Sequence, residues 1–162
     1  IGGGDMKKDR VIPDVIKSLK NKTQLIIRNP QAIRPWQHVL EPIFGYLTLG
    51  NLLINRKLTK SIKPNWNFGP SISNCKTVIQ VVKKIISIWG ERKKINIISN
   101  KQFKESTFLM IDNQKAKKEL NWSPRLSFEE TIQMTVEWYK HCFLKKKNEK
   151  ISREQIDYFL NK

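Results

Sequence analysis

The stretch Arg34-Pro35-Trp36-Gln37-His38-Val39-Leu40-Glu41-Pro42 carries the chain from a turn into a helix. Proline is tolerated in an α-helix only in its first turn, so Pro42 predicts a helix beginning near His38. Just upstream, Arg28-Asn29-Pro30 is a turn signal, and the guanidinium groups of Arg28 and Arg34 flank it six residues apart. Planar, forked donors of this kind suit bidentate phosphate binding. The spacing is as compatible with two surface arginines beside a buried Trp36, and the residues alone do not choose between these readings.

Working outward, the helix carries Val39, Leu40, Ile43, Phe44, Leu47, Leu49, Leu52, Leu53 and Ile54. That is too many apolar residues for one core-facing stripe, so cover is expected on more than one side. Upstream, Ile12, Val15, Ile16 and Leu19 recur at helical spacing until Asn21-Lys22, and Leu25-Ile26-Ile27 reads as a short strand. Downstream, Trp66-Asn67-Phe68 before Gly69-Pro70 predicts a strand and a turn. Val78, Val81, Val82, Ile85, Ile86 and Trp89 predict the clearest amphipathic helix, with Gly90 as its C-terminal cap. Two short strands are expected over 95–98 and 107–111, and Asp112 is expected to cap a basic helix through Leu120. Ser127 with Glu130 forms a capping box for a helix through Tyr139, and Ser152 with Gln155 reads as the same device for a last short helix. The expected class is therefore α/β, helices with a few short strands. Residues 1–144 form the main part, and 145–162 a basic linker and terminal helix.

A chain of 162 residues fits one domain or a piece of one. Its 31 Lys and Arg against 14 Asp and Glu leave a net charge of +17, which raises nucleic acid as a partner. The excess is 24 Lys to 7 Arg, accompanied by 21 Ile and 13 Asn along the whole length, which reads as compositional bias with Lys on solvated positions. Aromatic residues sit at apolar-periodic positions rather than between basic ones, where stacking platforms would put them. Nucleic acid is not the expected partner, and a basic nucleic-acid-binding protein stays as the rival reading. No run approaches the ~18 consecutive apolar residues of a membrane span, so no membrane is expected. Cys75 and Cys142 lack Cys-x-x-Cys spacing, which makes a reducing cytoplasm the default. The opening Ile1-Gly2-Gly3-Gly4-Asp5 has neither Met nor a basic-then-apolar leader, and predicts a preceding portion.

Catalytic templates do not match. Gly2-Gly3-Gly4 lacks the G-x-G-x-x-G spacing and a preceding strand, and reads as a flexible turn. His38 and His141 stand outside any metal-ligand spacing, no G-x-S-x-G elbow occurs, and Glu129-Glu130 suits the dipole of a helix first turn. No acid–base pair is expected within these residues.

Several segments together resemble the C-terminal half of the CDP-glucose 4,6-dehydratases. They are Gly2-Gly3-Gly4-Asp5, Asp9-Arg10-Val11-Ile12-Pro13-Asp14, Arg28-Asn29-Pro30, the run over 34–42 and Gly45-Tyr46-Leu47. Further along come Trp66-Asn67-Phe68-Gly69-Pro70, Lys115-Ala116 with Leu120-Asn121-Trp122-Ser123-Pro124, and Thr135-Val136-Glu137-Trp138-Tyr139. The run over 34–42 is the most specific, and the last elements are shared with other nucleotide-sugar dehydratases and epimerases. The resemblance implies the C-terminal substrate-binding part of an extended short-chain dehydrogenase. The N-terminal Rossmann sheet, the NAD site and the Tyr-x-x-x-Lys catalytic pair would then lie in a preceding part, against which helix 39–54 would pack. It implies a whole enzyme, itself a candidate homo-oligomer, that oxidises the sugar at C4′ with bound NAD. Water is then eliminated across C5′ and C6′ and the hydride returned to C6′, turning CDP-glucose into CDP-4-keto-6-deoxyglucose. This chain would be inactive alone, and a standalone nucleotide-sugar-binding module is the other reading. By the same resemblance Arg34 meets the substrate diphosphate, Arg10 contacts the nucleotide, Leu25 and Ile27 flank the base, and Asn67 offers a polar contact. Glu105 is retained in Lys104-Glu105-Ser106, where relatives carry His-Glu-Ala.

Overall fold

Apolar residues at helical spacing on three separate segments find one another to make the main core. Ile12, Val15, Ile16 and Leu19 of α1 (Val11–Asn21) pack with Val78, Val81, Val82 and Ile85 of α3 (Val78–Trp89). Ile132, Val136 and Tyr139 of α5 (Phe128–Lys145) close the other side. The computed structural model describes residues 1–55, 65–90, 94–97, 106–145 and 148–162. Between these helices run β1 (Leu25–Ile27), β2 (Ile33–Pro35), α2 (Leu40–Ile54), β3 (Cys75–Thr77), β4 (Ile95–Ile97) and α4 (Gln114–Leu120), and α6 (Glu149–Leu160) ends the chain. The class is α/β, helix-rich with few short strands, and no described helix is long and apolar enough to cross a membrane.

Four strands form two small sheets among the described residues. β1 pairs in parallel with β4, Leu25 opposite Ile95 and Ile27 opposite Ile97, while β2 pairs antiparallel with β3, Arg34 opposite Lys76. The expected strand over 95–98 is present as far as Ile97, and Ile98 lies outside the described residues. The expected strand over 107–111 is reduced to one bridge. The Ile33 amide donates to the Thr107 carbonyl at 2.9 Å and the Leu109 amide to the Ile33 carbonyl at 3.2 Å. A longer parallel ladder would next call on the amide of Pro35, which has none.

The expected strand Trp66-Asn67-Phe68 is extended but joins no sheet. Its aromatic rings find side-chain partners instead: Phe68 meets Trp122 edge-to-face at 5.0 Å, and the Trp66 indole donates to Glu119 at 2.7 Å. Helix ends follow local chemistry more closely. Gly90 caps α3 with φ +86°, and the Ser127–Glu130 box opens α5, the Ser127 amide donating to Glu130 Oε2 at 2.8 Å. Asp112 accepts from the Gln114 amide at 2.9 Å, but the cap position of α4 falls on Asn113. The Ser152–Gln155 start is displaced, because α6 begins at Glu149 and both residues tie it to α5. The Trp138 indole donates to Ser152 Oγ at 3.0 Å and Gln155 Nε2 to the Met134 carbonyl at 2.7 Å.

Candidate functional site

The run over 34–42 alternates its work between two sides of the molecule. Trp36 is buried, its indole donating to the Lys76 carbonyl at 2.8 Å, which holds β2 against β3. His38, 2% exposed, accepts the Leu40 amide on Nδ1 at 3.4 Å where α2 begins. Burial pushes its imidazole down to about 4, with the Ile1 amino group adding a smaller repulsion. Glu41 Oε1 accepts the amides of Arg125 and Leu126, each at 2.7 Å, and clamps the loop ahead of α5 onto α2. Burial pushes this carboxyl up, against those two hydrogen bonds.

With Trp36 and Glu41 fixed, Arg34 lines a cleft of about 890 Å³. Its Nη1 donates to the carbonyls of Ile33 at 2.9 Å and Ser106 at 2.8 Å, which fixes where the guanidinium stands. Arg10 at the start of α1 and Arg28 after β1 line the same cleft, so three arginines border it. Val11, Ile12, Pro13, Ile26, Ile27 and Ile97 supply apolar walls. Asp5 pairs with Arg10 at 2.9 Å, and Asp9 pairs with Arg28. The Lys7 amide, and then Arg10, hold Asp5 below the usual carboxylate range. Tyr139 fixes the glycine-rich segment at the rim, its hydroxyl donating to the Asp5 carbonyl at 2.7 Å. Burial pushes that phenol up to about 12.

Of the residues expected at the site, Arg34, Arg10 and Ile27 come together in this cleft. Leu25 does not line it: alternation along β1 turns Leu25 and Ile27, 1% and 5% exposed, toward the main core and leaves Ile26 between them facing out. Asn67 is exposed on the segment that packs against α2 and α4, and does not line the cleft either. Glu105 and Lys104 lie outside the described residues. Asp9 and Asp14 stand in the segment over 9–14 that carries the resemblance, but nothing in the sequence assigns either a role. Only the left-handed backbone of Asp9, φ +62°, brings its carboxylate round to Arg28.

The spacing Tyr-x-x-x-Lys, expected to belong to a preceding part, does occur once, as Tyr158 to Lys162 at the end of α6. It is not a catalytic pair of this cleft. The Tyr158 hydroxyl donates to Glu130 at 2.5 Å, Lys162 pairs with the same carboxylate, and neither residue lines the cleft. Among the described residues no group of His, Cys, Asp and Glu is arranged to hold a metal ion.

A family model described as GDP-mannose 4,6 dehydratase matches residues 4–135. A CDP-glucose 4,6-dehydratase of Salmonella typhimurium is 42% identical over 140 residues, 86% of this chain and 38% of that protein. The crystal structure of a dTDP-glucose 4,6-dehydratase from Bacillus anthracis in complex with NAD matches with TM-score 0.68 and 25% identity, over 93% of this chain and 43% of that one. A UDP-glucose 4-epimerase from Thermotoga maritima shares the fold at TM-score 0.68 and 20% identity, over 85% of this chain and 41% of that one. The chain spans about two fifths of the length of each of these proteins. Since the family match runs from residue 4 to residue 135, the chain belongs to the GDP-mannose 4,6-dehydratase family.

Proposed function

We propose that this chain is the substrate-holding, C-terminal part of a CDP-glucose 4,6-dehydratase, a lyase that removes water from a nucleotide sugar. The observation that carries the reading is that Arg10, Arg28 and Arg34 line one cleft, in a chain 42% identical to such an enzyme. A nucleotide sugar needs a cationic site for its diphosphate and apolar walls for its flat base, and the cleft supplies both. Arg34, positioned by two backbone carbonyls, meets the diphosphate with Arg10 beside it. The exposed side chains of Ile26 and Ile97 offer the base its apolar wall, beside the largely buried Ile27 and Pro13.

NAD does not fit the described residues. A dinucleotide needs a glycine-rich loop between a strand and a helix N-terminus, and β1 instead runs into Arg28-Asn29-Pro30. In this reading the NAD site and the reacting groups belong to another part of a longer, cytoplasmic enzyme, and the outer face of α2 packs on that part.

Calorimetric titration of the 162-residue chain with CDP-glucose tests the proposal. Binding is expected, weakened about tenfold or more by Arg34→Lys, which keeps the charge but loses the forked donors. Absence of binding to the folded chain would refute the substrate-holding role.

A further inference from the structure

An anion-binding cleft has little use for carboxylates, yet Asp5, Asp9 and Asp14 all line this one. Two of them are accounted for, Asp5 by its pair with Arg10 and Asp9 by its pair with Arg28. Asp14 differs. Among the described residues its carboxylate makes no ion pair within 4.0 Å. A carboxylate in a helix first turn suits the dipole of α1. The dipole does not explain why this one stands beside Pro13 at the wall of the cleft, where burial pushes its carboxyl up.

The pyrimidines differ at one ring position in the property a carboxylate reads. Cytosine carries an exocyclic amino group there, a donor, whereas uracil and thymine carry a carbonyl, an acceptor. A carboxylate accepts from the first and repels the second, and Asp and Glu read cytosine in this way in nucleic-acid recognition.

We propose that Asp14 is the base-reading residue of this cleft, its carboxylate accepting a hydrogen bond from the amino group of cytosine and rejecting the carbonyl of uracil or thymine. The inference rests on the nucleotide-sugar reading above and adds to it the residue that selects the base. Asp5 and Asp9 do not serve, because their arginine pairs hold them.

The test is a competition titration of the 162-residue chain with CDP-glucose, UDP-glucose and the CDP-glucose analogue whose base is pyrimidin-2-one, which lacks the exocyclic group. A hydrogen bond to a charged acceptor predicts that CDP-glucose binds about ten- to hundredfold tighter than either. Asp14→Asn, which offers both a donor and an acceptor, is expected to bring CDP-glucose and UDP-glucose within about threefold of each other. Circular dichroism establishes that the variant is folded, and the analogue comparison needs only the unaltered chain. Equal binding of CDP-glucose and the analogue would overturn the proposal, as would an Asp14→Asn chain that keeps its preference for cytosine, while the nucleotide-sugar reading survived both results. If none of the three sugars binds, that reading falls and takes this one with it.

Discussion

Glu41 and His38 are buried three residues apart in sequence, and titration affects them in opposite directions. Glu41 satisfies two buried amides at once, so Glu41→Ala leaves both unpaired and is expected to cost about 2–4 kcal/mol, read from urea unfolding. His38 is neutral in the fold, with its pKa down to about 4, whereas in the unfolded chain it titrates near 6.5. Its contribution is present above pH 6.5 and is lost as pH falls toward 4, by up to roughly 3 kcal/mol. Thermal unfolding between those limits is expected to show a falling midpoint that His38→Gln flattens. An unchanged slope in that variant would remove His38 as the cause. Neither role is legible in the sequence, because the amides that Glu41 holds lie 84 and 85 residues downstream and burial is a property of the fold. Arg34 was legible because its turn, its helix and its family motif coincide.

At the scale of elements, two glycines of α2 separate helix propensity from packing. A Cβ at Gly45 would stand 2.4 Å from the Phe68 ring, while one at Gly50 would meet nothing within 4 Å. Alanine favours a helix interior over glycine by roughly 1 kcal/mol at either place. Gly50→Ala is expected to stabilise by about that much, and Gly45→Ala to destabilise by about 1–3 kcal/mol because overpacking against an anchored ring outweighs propensity. Chemical denaturation of both variants checks the pair, and a stabilised Gly45→Ala would mean that Phe68 is free to move. Helices were legible from periodicity and caps, as at Gly90 and the Ser127–Glu130 box. The Thr77–Gln80 capping box of α3 follows the same rule, Gln80 donating its amide to Thr77 Oγ1 at 3.3 Å, and was within reach of it. Strands were less legible. β2 and β3, three residues each, alternate too briefly to register, and Trp66-Asn67-Phe68 has strand-like composition but takes ring partners instead of a ladder.

Over the whole molecule, the crowding of apolar residues on α2 is resolved by splitting the helix between two environments. Phe44, Leu49 and Leu52 turn inward to Trp122 and Phe68. Val39, Ile43, Tyr46, Leu47, Leu53 and Ile54 form one exposed face, Leu47 at 67% and Ile54 at 83% exposure. A continuous apolar face of this kind promotes association. Light scattering of the isolated chain is expected to show concentration-dependent growth, reduced by Leu47→Glu together with Ile54→Glu. A monodisperse wild-type chain would show that its net charge of +17 suffices to keep molecules apart. The excess of apolar residues was readable from the sequence, but which side would be bare depended on where the loop ahead of α5 docks. That docking gives the interval between Arg34 and Glu41 the property of a ruler. One residue inserted in the extended stretch between β2 and α2 would displace Glu41 from Arg34 by up to about 3.3 Å, so either the guanidinium or the carboxylate would miss its mark. Segment length here is as constrained as residue identity, and insertions tolerated in ordinary connecting loops would be selected against within these eight positions.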